Sequence, residues 1–125
     1  MPEVSVIVPT CDRPQLVQRA VRSVLGQTHS DLEVVVVDNN RRTPRLSANA
    51  EFAALQADPR VRLVEAMSAH NAASARNAGL AAAAGEWMTF LDDDDEYHAE
   101  KVAAQLACAR TTGAPLVLCG YELVW

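Results

Sequence analysis

The chain has 125 residues, half of them apolar and 22% charged, with 16 acidic against 11 basic side chains and a formal net charge of −5. That length suits one domain with a real core, and the acidic balance argues against a general nucleic-acid surface. No apolar run reaches membrane-spanning length, the N-terminus does not read as a secretory signal, and Cys11, Cys108 and Cys119 are too widely spaced for a disulfide framework or a zinc site, so the sequence predicts a cytoplasmic protein with reduced thiols.

Residues 4–8 are mostly β-branched, lie between Pro2 and Pro9, and predict a buried first strand. A turn follows, in which Asp12 is expected to cap a helix that has Pro14 in its first turn, apolar residues at helical spacing from Leu16 to Leu25, and Gly26 as its stop. Residues 32–37 predict a second strand ending at Asp38, and a polar loop with Asn39, Asn40, Arg41 and Arg42 leads to a helix from about Leu46 to Leu55. Residues 61–65 predict a short third strand at a sheet edge, because two of the five are charged. An alanine-rich helix over residues 74–84 should be opened by Asn71 or Ser74 and closed by Gly85. The strand 87–91 comes next, then a helix from about His98 to Thr111 stopped by Gly113, and a last strand over 115–121.

This alternation predicts an α/β fold: a mainly parallel sheet of about five strands with helices on both faces, forming a single domain over residues 1–125. In such sheets ligands bind beyond the carboxyl ends of the strands. Three polar clusters fall at those ends, namely residues 10–13, 38–40 and 92–95. The last is the most telling, since an apolar strand runs straight into Asp92, Asp93, Asp94 and Asp95. Adjacent like charges repel, so their gathering points to a divalent cation, Mg²⁺ or Mn²⁺, held by hard oxygen ligands and carrying a phosphate-bearing substrate. Asp95 is expected to cap the following helix and Asp93 to act as a spacer. The alternative for the whole run is a solvated one that merely caps that helix. Arg76, flanked by small side chains, is suited to meet a phosphate or carboxylate, or else to pair with one of the acids. His29, His70 and His98 have no metal-like spacing and read as surface or satisfied histidines.

Five phrases in order carry a resemblance. Residues 4–13, with the Pro9-Thr10-Cys11-Asp12-Arg13 turn, are followed by the Ser23-Val24-Leu25-Gly26-Gln27-Thr28 helix end. The strand 33–39, the Ala75-Arg76-Asn77-Ala78-Gly79 segment, and Gly85-Glu86-Trp87 leading to the acidic run complete the series. Together they resemble family 2 glycosyltransferases over nearly the whole chain. The resemblance implies the Rossmann-like nucleotide-binding half of the GT-A fold, incomplete at the C-terminal end. It also implies binding of a nucleotide-diphosphate sugar, a UDP-sugar above all, with Mg²⁺ or Mn²⁺ as cofactor. By position it implies that Pro9, Thr10, Asp12, Asp38, Arg76, Asp92 and Asp93 form the nucleotide-sugar site and that Asp94 binds the metal. Within that set, Thr10 and Asp38 would line the base and Asp92 would face the ribose or sugar. The reaction implied is inverting transfer to a polysaccharide, lipid or protein-glycan acceptor, in cell-envelope polysaccharide biosynthesis at the cytoplasmic face of the membrane. The catalytic base is expected beyond residue 125.

The sequence departs from the family pattern at Cys11, which stands for an aromatic, at Asn39, which stands for a second acid, and at Arg41-Arg42, which replace a small turn and read as a solvated loop. Three rivals remain in view. A dinucleotide-binding domain lacks support because the turn 9–14 has no glycine to admit a pyrophosphate. A phosphatase with an attacking aspartate would need a threonine where Asp95 stands and a lysine in a later strand-end loop. A non-catalytic nucleotide-binding or interaction module is the third.

Overall fold

The computed structural model describes residues 1–124. Its elements, in chain order, are β1 (Val4–Thr10), α1 (Pro14–Leu25), β2 (Leu32–Asp38), a 3₁₀ turn (Leu46–Ala48), α2 (Ala50–Gln56), β3 (Val61–Glu65), α3 (Ala72–Ala82), β4 (Trp87–Phe90) and α4 (Lys101–Thr112). All strand pairs are parallel, and the order across the sheet is β3-β2-β1-β4.

Burial explains this order. Every residue of β1 and of β2 is buried, so these strands have to be covered on both faces. Side chains alternate between the faces, as a pleated strand requires. Val4, Val6, Val8, Val34 and Val36 face a core shared with Val17, Val21 and Val24 of α1, Phe52 of α2, and Val102 and Leu106 of α4. Ile7, Val35 and Val37 face the opposite side, against Ala75 and Ala78 of α3. Charged β3 lies at the edge, as its composition predicts. After β3 the chain crosses back over the sheet to place β4 on the far side of β1. The direction of winding therefore switches between β1 and β4, and a crevice opens at their carboxyl ends.

Four expectations are corrected. Residues 115–121 form no strand, and Leu116, Leu118 and Tyr121 are 73%, 82% and 90% exposed. An apolar run becomes a strand only where an edge accepts its backbone, and this one runs largely exposed beside α4, with Gln105 donating to the Val117 carbonyl at 3.0 Å. The sheet accordingly has four strands. Asp12 does not cap α1: the cap position is Arg13, without a side-chain bond, and Asp12 adopts a left-handed φ of 57°. Asp95 does not cap α4, which begins only at Lys101 after Glu100. Gly85 is not the stop of α3, which ends at Ala82 and is capped by Ala83. Gly85 instead lets the chain pass against β1, where an added Cβ would lie 2.6 Å from the Ser5 backbone nitrogen. Asn71 opens α3 as expected, with its Oδ1 accepting from the Ser74 N–H, and Gly113 ends α4 with a φ of 69°.

At the amino end of the sheet, the Glu33 carboxylate is buried and accepts from the Ser5 hydroxyl at 2.6 Å, the Ala84 N–H at 2.7 Å and Arg62 at 3.0 Å. Burial alone would raise its pKa, but these donors outweigh burial and hold it below the usual glutamate value. The folded pKa is thus lower than the unfolded value of about 4.3, so the stabilisation is fully present above that pH and is lost as pH falls through the folded value. Glu33→Gln should cost about 2 kcal/mol at pH 7. Urea unfolding at a series of pH values should show the gap between variant and wild type closing below about pH 4.

Candidate functional site

Beyond the carboxyl ends of β1, β2 and β4 lies a cleft of about 590 Å³. β1 and the turn after it contribute Pro9, Thr10, Cys11, Asp12 and Arg13. Asn39, Arg41 and Arg42 come from the loop after β2, and His70, Asn71, Ala72, Ala75 and Arg76 come from the start of α3. Asp92, Asp93 and Asp94 complete the wall. The three sequence clusters form one site.

Seven of the eight residues assigned to the site by resemblance line this cleft: Pro9, Thr10, Asp12, Arg76, Asp92, Asp93 and Asp94. Asp38 does not. It is 1% exposed, and its two oxygens accept from the Asn40 N–H at 2.9 Å and the Leu46 N–H at 2.7 Å. Asp38 therefore folds the loop rather than facing a ligand. The next residue, Asn39, is in the wall. It is 7% exposed, and among the described residues no donor reaches its Oδ1. A buried carbonyl oxygen without a partner is costly, and an N–H from a bound ligand would satisfy it.

Asp12 lines the cleft mainly with backbone geometry. Its Oδ1 accepts from the N–H groups of Arg41, Arg42 and Thr43 at 2.9, 2.8 and 2.9 Å and from the Thr43 hydroxyl at 3.0 Å. Its own N–H donates to Asn40 Oδ1 at 2.7 Å. The Thr43 and Arg42 amides are foremost in holding its carboxyl well below the usual aspartate range. The same wrapping brings Arg41 and Arg42 to the cleft wall, with the Arg41 guanidinium also donating to the Ala69 carbonyl. Both arginines are exposed, as a solvated loop requires, and they also line the cleft.

The acidic run divides by side-chain direction. Asp93 points inward, 7% exposed, and accepts from the Thr10 hydroxyl at 2.8 Å and from Arg13 at 3.1 Å. Asp92, Asp94 and Asp95 face out, each with a carboxylate oxygen within 4.8 Å of the others. Burial and then the charges of Asp94, Asp92 and Asp93 raise the pKa of Asp95, which is the mark of like charges held together. Two guanidiniums partly offset that repulsion: Arg76 donates to Asp92 at 2.6 Å and Arg13 to Asp94 at 3.2 Å.

This donor set fits a hard divalent cation. Its ligands are carboxylate oxygens, the hard donors such an ion prefers, and one from each of the three acids is near enough to the others to share an ion. Asp92 and Asp94 were legible from their spacing. Asp95, Arg13 and Asn39 were not, and only the charge of Arg13 opposite the acids hinted at its place.

The parallel α/β sheet, with an acid- and arginine-lined cleft at its winding switch, has the architecture of the GT-A type. A family profile described as Glycosyl transferase family 2 matches residues 5–123. The chain belongs to this family. It is 31% identical over 122 residues to an Escherichia coli protein named UDP-Glc:alpha-D-GlcNAc-diphosphoundecaprenol beta-1,3-glucosyltransferase WfgD, covering 97% of this chain and 46% of that protein. The structure of the mannosyltransferase PcManGT from Pyrobaculum calidifontis, in complex with GDP-Man and Mn²⁺, is 31% identical with a TM-score of 0.67, covering 82% of this chain and 30% of that one. The crystal structure of S. aureus TarS 1-349 shares the fold at a TM-score of 0.77 and 23% identity, covering 90% of this chain and 33% of that one. The chain thus spans less than half the length of these relatives. No helix among the described residues is long and apolar enough to cross a membrane, and Cys11, Cys108 and Cys119 are free and exposed.

Asp12→Ala should release the loop after β2. Amide hydrogen exchange at Arg41, Arg42 and Thr43 should rise severalfold while the amides of β1 and β2 keep their protection. In the wild type, protection of the three loop amides should persist below about pH 3.9, where an ordinary aspartate takes up its proton.

Proposed function

We propose that this chain is the donor-binding part of an inverting, metal-dependent glycosyltransferase that takes a sugar from a nucleotide-diphosphate sugar, with UDP as the favoured carrier. The observation that carries this reading is the convergence of the Asp92, Asp94 and Asp95 carboxylates at the mouth of a cleft that also holds two guanidiniums. Asp92, Asp94 and Asp95 would hold a cation there, and it would supply positive charge to offset the negative charge that develops on the leaving diphosphate. Asp94 is the principal metal ligand in this reading, with Asp92 turned to the ribose or sugar.

The chain's own residues complete the binding. Arg13 and Arg76 sit beside the acids, where they can meet diphosphate oxygens. Asn39, Thr10 and Pro9 form the deeper wall, and the unpaired Asn39 Oδ1 suits a nucleobase N–H such as uracil N3–H or guanine N1–H. The donors named for two relatives, UDP-Glc for one and GDP-Man for the other, are of these two kinds. The acceptor proposed is a lipid-linked or polysaccharide glycan, after the diphosphoundecaprenol substrate in the name of the Escherichia coli relative. Reaction at the cytoplasmic face of the membrane goes with that acceptor. The residue that removes the acceptor proton is proposed to lie in the portion of such enzymes that this chain does not span.

Calorimetry should show saturable binding of a UDP-sugar that tightens at least about tenfold when Mn²⁺ is added. Asp94→Ala should abolish the tightening while leaving the metal-free affinity nearly unchanged; a folded wild-type chain whose nucleotide affinity ignores Mn²⁺ would falsify the reading. The metal effect should also fade on acidification. Because the Asp95 pKa is raised, the fading should begin above the value of about 3.9 for a free aspartate.

A further inference from the structure

The acids stand on residues 91–100, which form neither helix nor strand. Three like-charged side chains on such a segment would spread apart unless something braced it. The brace is formed by Arg19 and Ser23 of α1 and by Gln27 just beyond its end, which recur every fourth residue and so lie along one side. Each meets the next residue of the segment in turn. Arg19 donates to Glu96 at 2.7 Å, Ser23 Oγ accepts from the Tyr97 N–H at 3.0 Å, and Gln27 Nε2 donates to the His98 carbonyl at 2.7 Å. Gln27, 6% exposed, also accepts from the Val102 N–H at 3.0 Å, and the Thr28 N–H donates to the Ala99 carbonyl at 2.8 Å.

Tyr97 closes the other side. Its hydroxyl donates to the Phe90 carbonyl at 2.7 Å, so the Thr89 hydroxyl, 2.9 Å away, donates to it. Lys101 lies 3.7 Å from the ring centroid and donates to Thr89. Burial, the main cause, pushes the hydroxyl pKa up to about 12, so it keeps its proton at physiological pH. One side chain thus ties the residue before the acid-bearing loop to the residue after it, while its backbone is fixed to α1.

We propose that Tyr97 and Gln27 are positioning residues for the acidic triad, holding the Asp92, Asp94 and Asp95 carboxylates together within reach of one divalent cation. This rests on reading the cleft as a metal-dependent donor site. Partners that orient metal ligands from behind typically change metal affinity by about tenfold or more when removed. The probe is Mn²⁺ alone, its free concentration followed by electron paramagnetic resonance. Tyr97→Phe keeps the ring under Lys101 and deletes only the hydroxyl; it should raise the Mn²⁺ dissociation constant about tenfold. Gln27→Leu should act in the same direction, and both variants should bind a nucleoside diphosphate without metal as the wild type does. Wild-type Mn²⁺ affinity in folded Tyr97→Phe overturns the positioning role, and this variant decides the matter alone if Gln27→Leu does not fold. A folded wild type that binds no Mn²⁺ overturns the donor-site reading itself. Mn²⁺ binding that depends on Asp94 but not on Tyr97 removes only the brace.

Discussion

The contact on which the site depends is the buried Asp93 carboxylate, held by the Thr10 hydroxyl and the Arg13 guanidinium. It joins the end of β1 to the end of β4, the two strands between which the winding of the sheet reverses. A carboxylate this far from water has to be hydrogen-bonded, and its two oxygens are divided between these two partners. Asp93 is turned inward and Asp92 and Asp94 outward on a tight turn, closed by the Asp95 N–H donating to the Asp92 carbonyl at 3.1 Å. The inward acid fixes the loop, and the outward acids are left for ligand.

Charge then organises what surrounds that contact. Arg13 reaches both Asp93 and Asp94, and Arg76 reaches Asp92 from α3. Arg76 can come this close because Ala75 and Ala78 pack α3 directly onto Ile7, Val35 and Val37. The small side chains that seat the helix on the sheet therefore also place a cation beside the acids. These pairs are half-exposed and add little to stability. Their effect is local, as positive charge next to the place where four carboxylates meet.

The sequence announced much of this, and where it did not the reason is physical. β1 and β2 were legible because continuous β-branched runs are what a sheet covered on both faces requires, and charged β3 was legible as an edge. The strand expected over residues 115–121 was not excluded by any residue in it, since an apolar run does not state whether a sheet edge is free to receive it. Asp38 and Asn39 were confused for a related reason. At a strand end a shift of one residue exchanges the buried side for the open one, and composition does not locate the last paired residue. Asp12 failed as a cap because its side chain bonds forward across the chain to residues 41–43, a long-range choice with no local signature.

The two sides of the cleft differ in how their carboxylates are satisfied, and that difference locates the binding free energy. On the β2 side, Asp12 and Asp38 are surrounded by backbone N–H groups, so the loop is shaped before any ligand arrives. A preformed wall loses little entropy on binding, and the one buried acceptor it leaves unmatched is Asn39 Oδ1. On the β4 side, Asp92, Asp94 and Asp95 crowd together with only side-chain guanidiniums against two of them. Attraction for a cation is greatest where negative charge is concentrated and incompletely matched. In the proposed donor site, recognition of a ligand's shape would thus fall to the wall shaped by Asp12 and Asp38, and most of the electrostatic drive to the acids mounted between Asp93 and α1.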